Sequence, residues 1–528
     1  MLKNISPALV SRRAAVLATA LALVALAAPC ARADVKLPVL FSDNMVLQQA
    51  VPVSVWGWAE DGEEVTVSFA GQKVSARAAG GKWMVKLKPL KASSAGDTLT
   101  VKGRNTIELK NVLVGEVWIA SGQSNMQWAL NQSHGGTNDI ANSTNFNLRL
   151  FYVPRVKANE PQGDIAGLHR NAKPVWMVSS SNTTADFSAV AYYFGRDLQK
   201  ARTVPVGIIH TSWGGSPAEV WISHAVLSAN ADYKRDILDA YPKSMETYQT
   251  AKAKWDKQVE DLKKDGKKPE GKAPAPPSWK PSELYNSMIA PLLPFAIKGG
   301  IWYQGESNAG RAWQYRTLFA DMIKNWRKDF GQGDFTFLTV ELAPFTKILT
   351  EPADSNWAEL REAQIVASKN VGHAGTATIT DVGEENDIHP KKKEPVGERL
   401  ALLARKLAYG EKIMADGPTF KSAKIEGDKA TIGFDNVGAG LLVRGSEELK
   451  GFTICGEDKK FVWAKAEIKG ETVVVSSDKV VKPVAVRFGW ANYPVVNLWN
   501  KEGLPAHPFR TDTFTLTTDP AAKQAAKK

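Results

Sequence analysis

The sequence predicts an α/β protein: a parallel, doubly wound five-stranded sheet flanked by two β-sandwich-like regions. Three observations predict it. Five nearly continuous apolar runs lie between residues 112 and 382, and strands buried on both faces read that way. Stretches with helical apolar spacing fall between several of those runs. Before residue 110 and after residue 415 the text turns to short, alternating segments rich in Val, Thr and Trp, the pattern of antiparallel β structure. The composition agrees: 528 residues, 44% hydrophobic and 23% charged, exclude a mainly disordered or fibrous chain and favour more than one domain.

Taken in order, residues 1–33 read as an export signal. Lys3, Arg12 and Arg13 precede an apolar run at 16–28, and Ala31-Arg32-Ala33 supplies a cleavage site. The run is shorter than the roughly 20 residues a membrane span needs. The Arg12-Arg13 pair allows twin-arginine export. The expected product is a soluble chain delivered to the periplasm or secreted. Losing the signal removes Cys30 and leaves Cys455 alone, so no internal disulfide is expected. It also removes four cations and no acid, lowering the net charge from +12 to +8. Residues 251–280 hold nine Lys against five acids. Much of the excess is therefore one local basic run, which indicates a solvated face rather than a nucleic-acid partner.

Residues 34–110 form the first β region, with "VSVWGWA", "EEVTVSF", "KWMVKLK" and "DTLTVKG" as its strands. The core occupies 111–410. Its strands are "NVLVGEVWIA", "VPVGIIH" (204–210), "FAIKGGIWY" (295–303), "FTFLTVELA" (335–343) and "AGTATITDV" (374–382). Phe187, Val190, Ala191, Phe194 and Leu198 keep helical spacing, as do Leu318, Phe319, Met322, Ile323 and Trp326. An insertion at 243–282 combines a helical face (Met245, Tyr248, Trp255, Val259, Leu262) with an exposed Lys- and Pro-rich stretch. A second β region follows at 411–517, and 518–528 is expected to be a flexible tail.

In an open α/β sheet, ligands collect beyond the carboxyl ends of the strands. After the first run, "ASGQSNMQW" places Ser124 in a turn entering a helix, where a hydroxyl can face the crevice. After the second, Gly214-Gly215 can bring a backbone N–H close to an oxyanion. After the third, Gln304, Glu306, Ser307 and Asn308 cluster, and either amide can donate to a developing oxyanion. After the fifth, His389 follows Asp387 by two residues, a base beside an acid that can fix its tautomer. Gln123, Asn125, Trp128, Trp213 and Glu306 surround these groups as candidate substrate contacts, with Trp302 a further pocket-lining candidate. Glu384, Glu385, Asp387 and His389 lack the second His or Cys pair of a typical zinc site, so no metal is expected. No phosphate-binding glycine fingerprint follows any of the runs. Four such features in chain order, each just beyond a strand, favour a serine hydrolase.

"GEVWIASGQSNMQW", "GGIWYQGESN" and "NDIHPKKKEPVGERLA" resemble the sialate O-acetylesterase family within the SGNH (GDSL-type) hydrolases. "LPVLFSDNMVLQQAVPVSVWGWA" and "NLWNKEGLPAHPFRTD" extend the likeness over residues 37–513. The resemblance implies a flavodoxin-like core with attached β domains, cleaving acetyl esters from sugars without a cofactor. It implies Ser124 as nucleophile, His389 as base and Asp387 as its partner. Gly215 is the implied second-block glycine, with Gly214 as the other register. Gln304 is the favoured side-chain oxyanion donor, with Asn308 in reserve. Gln123 replaces the superfamily's usual Asp before the serine, a change this branch shares. Position 386 is Asn where D-x-x-H spacing would put the acid, so Asp387 or Glu384 orients His389. Acetylated sialic acids, or acetylated hemicelluloses such as xylan and xyloglucan, are the implied substrates. A non-catalytic carbohydrate-binding protein is the rival from another class.

Overall fold

The computed structural model describes residues 34–525; the expected export signal lies outside them. Its core is built on six parallel strands: β1 (Thr106–Gly122), β2 (Asn145–Tyr152), β3 (Val206–Ser212), β4 (Gly299–Tyr303), β5 (Thr336–Val340) and β6 (Ala374–Ala377). They lie side by side as β6-β5-β4-β1-β3-β2, every neighbouring pair parallel. A short strand, Met177–Ser179, adds an antiparallel edge beyond β2. The expected sheet of five parallel strands is thus corrected to six with that edge. β2 reads "NFNLRLFY", and its first residues are not continuously buried. With Asn145, Asn147 and Arg149 among them, it lacks the unbroken apolar run that marks the other strands.

Four helices cover the sheet: α1 (Ala189–Arg202), α2 (Ala312–Phe330), α3 (Asn356–Val371) and α4 (Glu394–Leu407). Alternate strand residues face opposite sides. Trp118, Ala120 and Ile208 join α1 and α4 in one core, while Val117, Ile119 and Ile209 join α2 and α3 in the other. The helical spacing noted at Phe187–Leu198 and Leu318–Trp326 marks the buried stripes of α1 and α2.

β1 runs seventeen residues, through the position at which the first β region was expected to end. Its first half pairs with the strand Ser93–Lys102 and its second with β3 and β4. The insertion forms the helix Ala240–Lys264, none of whose residues is fully buried. The second β region packs antiparallel sheets around Ile432, Phe434, Phe452, Val473, Phe488 and Phe509. The tail is held further along than expected. Leu516 is buried, and the Thr517 and Thr518 N–H groups donate to the Glu359 carboxylate. A short helix, Pro520–Ala525, follows.

Buried ions join the second β region to the core. His507 Nδ1 lies 2.8 Å from Glu341 at the end of β5, and its Nε2 lies 2.6 Å from Asp416. Burial pushes its pKa down, but Asp416 and Glu341 outweigh it and raise it to about 10. Arg361 of α3 is fully buried and donates to the carbonyls of Leu342, Ala343, Ala491 and Asn492. Among the described residues no helix is long and apolar enough to cross a membrane.

Candidate active site

The register of the sheet brings the site together. Gly122 is paired with Ser212 on one side and Tyr303 on the other. β1, β3 and β4 therefore end level, and the three motif loops emerge side by side. Gly122 is held at φ 139°, and a Cβ there would meet the Tyr303 carbonyl at 2.2 Å. Only glycine permits this approach.

Ser124 opens a single helical turn, Ser124–Gln127, whose N-cap Gln123 makes no capping bond. As the first helical residue, Ser124 has no intrahelical partner for its N–H. Its Oγ lies 2.9 Å from His389 Nε2, within proton-transfer reach. Asp387 lies on the other edge of the imidazole. Its Oδ1 is 3.4 Å from His389 Nδ1 and accepts the His389 backbone N–H at 2.9 Å. Glu384, the other acid considered, accepts the Lys391 N–H, and Glu385 accepts that of Ile348. The structure thus puts Asp387, not Glu384, beside the His389 imidazole. Among the described residues no group of three or more His, Cys, Asp or Glu side chains could hold a metal ion.

Trp128 stacks on His389 with centroids 5.3 Å apart and planes 18° from parallel. Burial lowers the His389 pKa, the charge of Lys393 lowers it further, and Asp387 offsets only part of this. Lys393 is fully buried and donates to Asn125 Oδ1. Asn125 Nδ2 in turn donates to Glu306 at 2.6 Å and to the Ile388 carbonyl at 3.0 Å. Burial pushes the Lys393 ammonium down to about 7 against the pull of Glu306 and Asp387, and burial raises the Glu306 pKa. This network ties the Ser124 turn, the loop after β4 and the histidine loop to one another. Lys393 was not singled out from the sequence because it ends the run Lys391-Lys392-Lys393, which reads as a solvated cationic patch. Lys391 and Lys392 are indeed exposed.

The Gly pair divides in two. The Gly214 N–H donates to Gln127 Oε1 at 2.7 Å, and a Cβ on Gly214 would press on the Ser124 Cβ at 3.2 Å. Gly215 sits at φ 75°, and its N–H meets no protein acceptor among the described residues. Gln123 Oε1 faces the N–H groups of Gly305 and Ser307 at 3.5 and 3.4 Å. Trp213 is half-buried and packs edge-on against Trp279.

Two expectations need correction. Gln304 and Asn308 do not offer free amides to an oxyanion. Gln304 Nε2 donates to the Ser216 carbonyl and to Asn308 Oδ1, while Tyr315 donates to Gln304 Oε1. Asn308 Nδ2 donates to Glu219. Both residues are buried, and buried amides pair inside the protein. Trp302 does not line the site either. It is fully buried on β4, packed against Trp221, Phe319 and Trp326.

The chain is similar to known carbohydrate esterases. The family model described as a carbohydrate esterase, sialic acid-specific acetylesterase, matches residues 273–405. The sialate O-acetylesterase of Mus musculus is 28% identical over 502 residues, covering 86% of this chain and 89% of its own. That of Homo sapiens is 27% identical, covering 89% and 91%. The crystal structure of a carbohydrate acetylesterase from Xanthomonas citri is 38% identical with a TM-score of 0.78, covering 91% of this chain and all of that one. The chain therefore belongs to the sialic acid-specific acetylesterase family of carbohydrate esterases and is a carboxylic ester hydrolase.

Proposed function

We propose that this protein removes O-acetyl groups from sugars through an acetyl-enzyme on Ser124, with 9-O-acetylated sialic acids as substrates. The contact that carries this reading is the 2.9 Å approach of Ser124 Oγ to His389 Nε2. His389 takes the hydroxyl proton as Ser124 attacks the acetyl carbonyl, and Asp387 stabilises the imidazolium that forms. The N–H groups of Ser124 and Gly215 receive the oxyanion. His389 then returns the proton to the departing sugar oxygen, and water clears the acetyl group by the same steps in reverse order. Trp128 orients the imidazole and Glu306 borders the acetyl-bearing sugar, while Gln123 and Asn125, expected as substrate contacts, are buried and hold the loops of the site together instead.

The five strands read from the sequence keep the order 2-1-3-4-5 when β2 is left aside, which supports a flavodoxin-like core. We infer the domain division at 34–110, 111–410 and 411–517 on the same footing. We also infer export to the periplasm or beyond after cleavage before Asp34, which N-terminal sequencing of the mature protein checks.

Ser124→Ala is expected to lower turnover of 4-nitrophenyl acetate by about 10⁶-fold with folding retained. It should also abolish labelling by a fluorophosphonate, which a non-catalytic sugar-binding protein would never accept. Full retained activity would remove Ser124 from the mechanism. A second reading keeps the chemistry and changes the sugar, because the 38%-identical relative is described only as a carbohydrate acetylesterase. Acetate release from 9-O-acetylated sialic acid, set against release from acetylated xylan, decides between them.

A further inference from the structure

Beside the histidine loop, the segment 344–354 and the second β region enclose a cavity of about 270 Å³. Among the described residues, four large apolar side chains left exposed meet in it: Ile348 (38%), Leu349 (50%), Trp463 (43%) and Val495 (45%). Isolated exposed apolar groups are ordinary, but a cluster of them in one concave place marks a binding surface. Trp490 and Tyr493 also line it. Aromatic faces in a concavity suit ligands with both an apolar C–H face and hydroxyls at the edge, as pyranose rings have.

The cavity adjoins the catalytic loop. The Ile348 N–H donates to Glu385 at 2.8 Å, and the Tyr493 hydroxyl donates to the Gly383 carbonyl at 3.1 Å. Glu385 precedes His389 by four residues, a span of at most about 14 Å of chain. The walls are also fixed in advance. Arg361 holds the Ala491 and Asn492 carbonyls at 2.7 and 3.0 Å, and Trp463 Nε1 donates to the Thr350 carbonyl at 2.7 Å. Preformed walls lower the ordering cost of binding. Glu351 and Glu448 line the cavity against one cation, Lys450. That balance disfavours an anionic ring.

We propose that this cavity is a subsite for a neutral pyranose ring next to the acetylated one, so that the enzyme prefers acetylated oligosaccharides to acetylated monosaccharides. The proposal rests on the esterase reading above. The neutral ring can belong to the glycan that carries a sialic acid or to a hemicellulose chain.

The test is Trp463→Ala, with Leu349→Ser as a second variant from the segment 344–354. Each is assayed on 4-nitrophenyl acetate, free 9-O-acetylated N-acetylneuraminic acid, 9-O-acetylated sialyllactose and O-acetylated xylotetraose. Both variants should raise KM about five- to tenfold on an acetylated oligosaccharide. They should leave kcat and the 4-nitrophenyl acetate rate unchanged. A loss confined to sialyllactose assigns the ring to a sialoglycan, and one confined to xylotetraose assigns it to hemicellulose. Unchanged KM on both oligosaccharides overturns the proposal, as does an equal loss on 4-nitrophenyl acetate. So does dissociation of a wild-type oligomer with KM unaltered, which would make the patch a contact between copies. Wild-type enzyme that cleaves 4-nitrophenyl acetate but neither oligosaccharide also removes the subsite, and leaves the esterase standing. Only an active Ser124→Ala removes both.

Discussion

Ser124 leaves the central strand two residues after Gly122, whereas His389 lies twelve residues past β6 in a connection without regular structure. The serine is placed by the sheet. Strand pairing on both sides of β1 and the close approach at Gly122 leave its turn one position. The histidine is placed by side chains. The Ile388 carbonyl rests on Asn125, the His389 N–H on Asp387, the Lys391 N–H on Glu384, and Trp128 covers the ring. Arg399 of α4 anchors the start of the connection, paired with Asp381 at 2.6 and 2.8 Å. One half of the proposed catalytic pair thus inherits its precision from backbone geometry and the other from a polar network. Polar substitutions should therefore damage the histidine half while the fold stands.

Asp387→Asn is expected to have the largest effect on that half, lowering kcat by about 10³- to 10⁴-fold on 4-nitrophenyl acetate. A loss below tenfold would mean that Asp387 does not stabilise the imidazolium. Asn125→Ala comes next. It frees the Ile388 carbonyl and the Lys393 ammonium together, and misplacing the base by about 1 Å should cost on the order of 10²-fold in kcat. If circular dichroism shows lost folding along with the lost activity, the network is holding the fold and the contrast fails.

Lys393→Met is the mildest test, read from a pH profile. The proposed mechanism needs neutral His389, whose pKa is lowered by burial and then by the Lys393 charge. The acid limb of kcat/KM should therefore fall below the ordinary imidazole value of 6.5. Lys393 is itself charged below about 7, so its field acts where that limb lies. Removing the charge should move the limb toward higher pH. A limb that stays in place would show that Lys393 does not act on the base.

The same contrast explains what could be read beforehand. β1, β3, β4 and β5 were legible because strands buried on both faces leave continuous apolar text, and the residues just past them were the natural places to seek chemistry. β2 was not, because Asn147 and Arg149 interrupt its run. Arg149 is buried all the same, with its guanidinium donating to the Phe146 and Asn44 carbonyls. Ser124 and His389 could be named from their positions beyond strands. The choice between Asp387 and Glu384 could not, since a loop's backbone decides which carboxylate faces the ring. Nor could the fate of Gln304 and Asn308. An amide after a strand can point toward a substrate or into the protein, and only the surrounding partners, Ser216, Tyr315 and Glu219, determine which.

The imidazolium of His507 makes the seam between the sheet and the second β region sensitive to alkali. Its pKa is raised from 6.5 to about 10, so the stability it contributes is fully present below about pH 6.5 and drains away as pH climbs through about 10. Above that, Glu341 and Asp416 face an uncharged ring. Urea midpoints at about pH 7 and above pH 10 should diverge in the native protein and converge in His507→Gln. Trp490 and Tyr493 belong to that same region. A mildly caustic medium should thus slacken one wall of the sugar cleft before it harms the serine, and long glycans should lose their advantage while small esters are still cut.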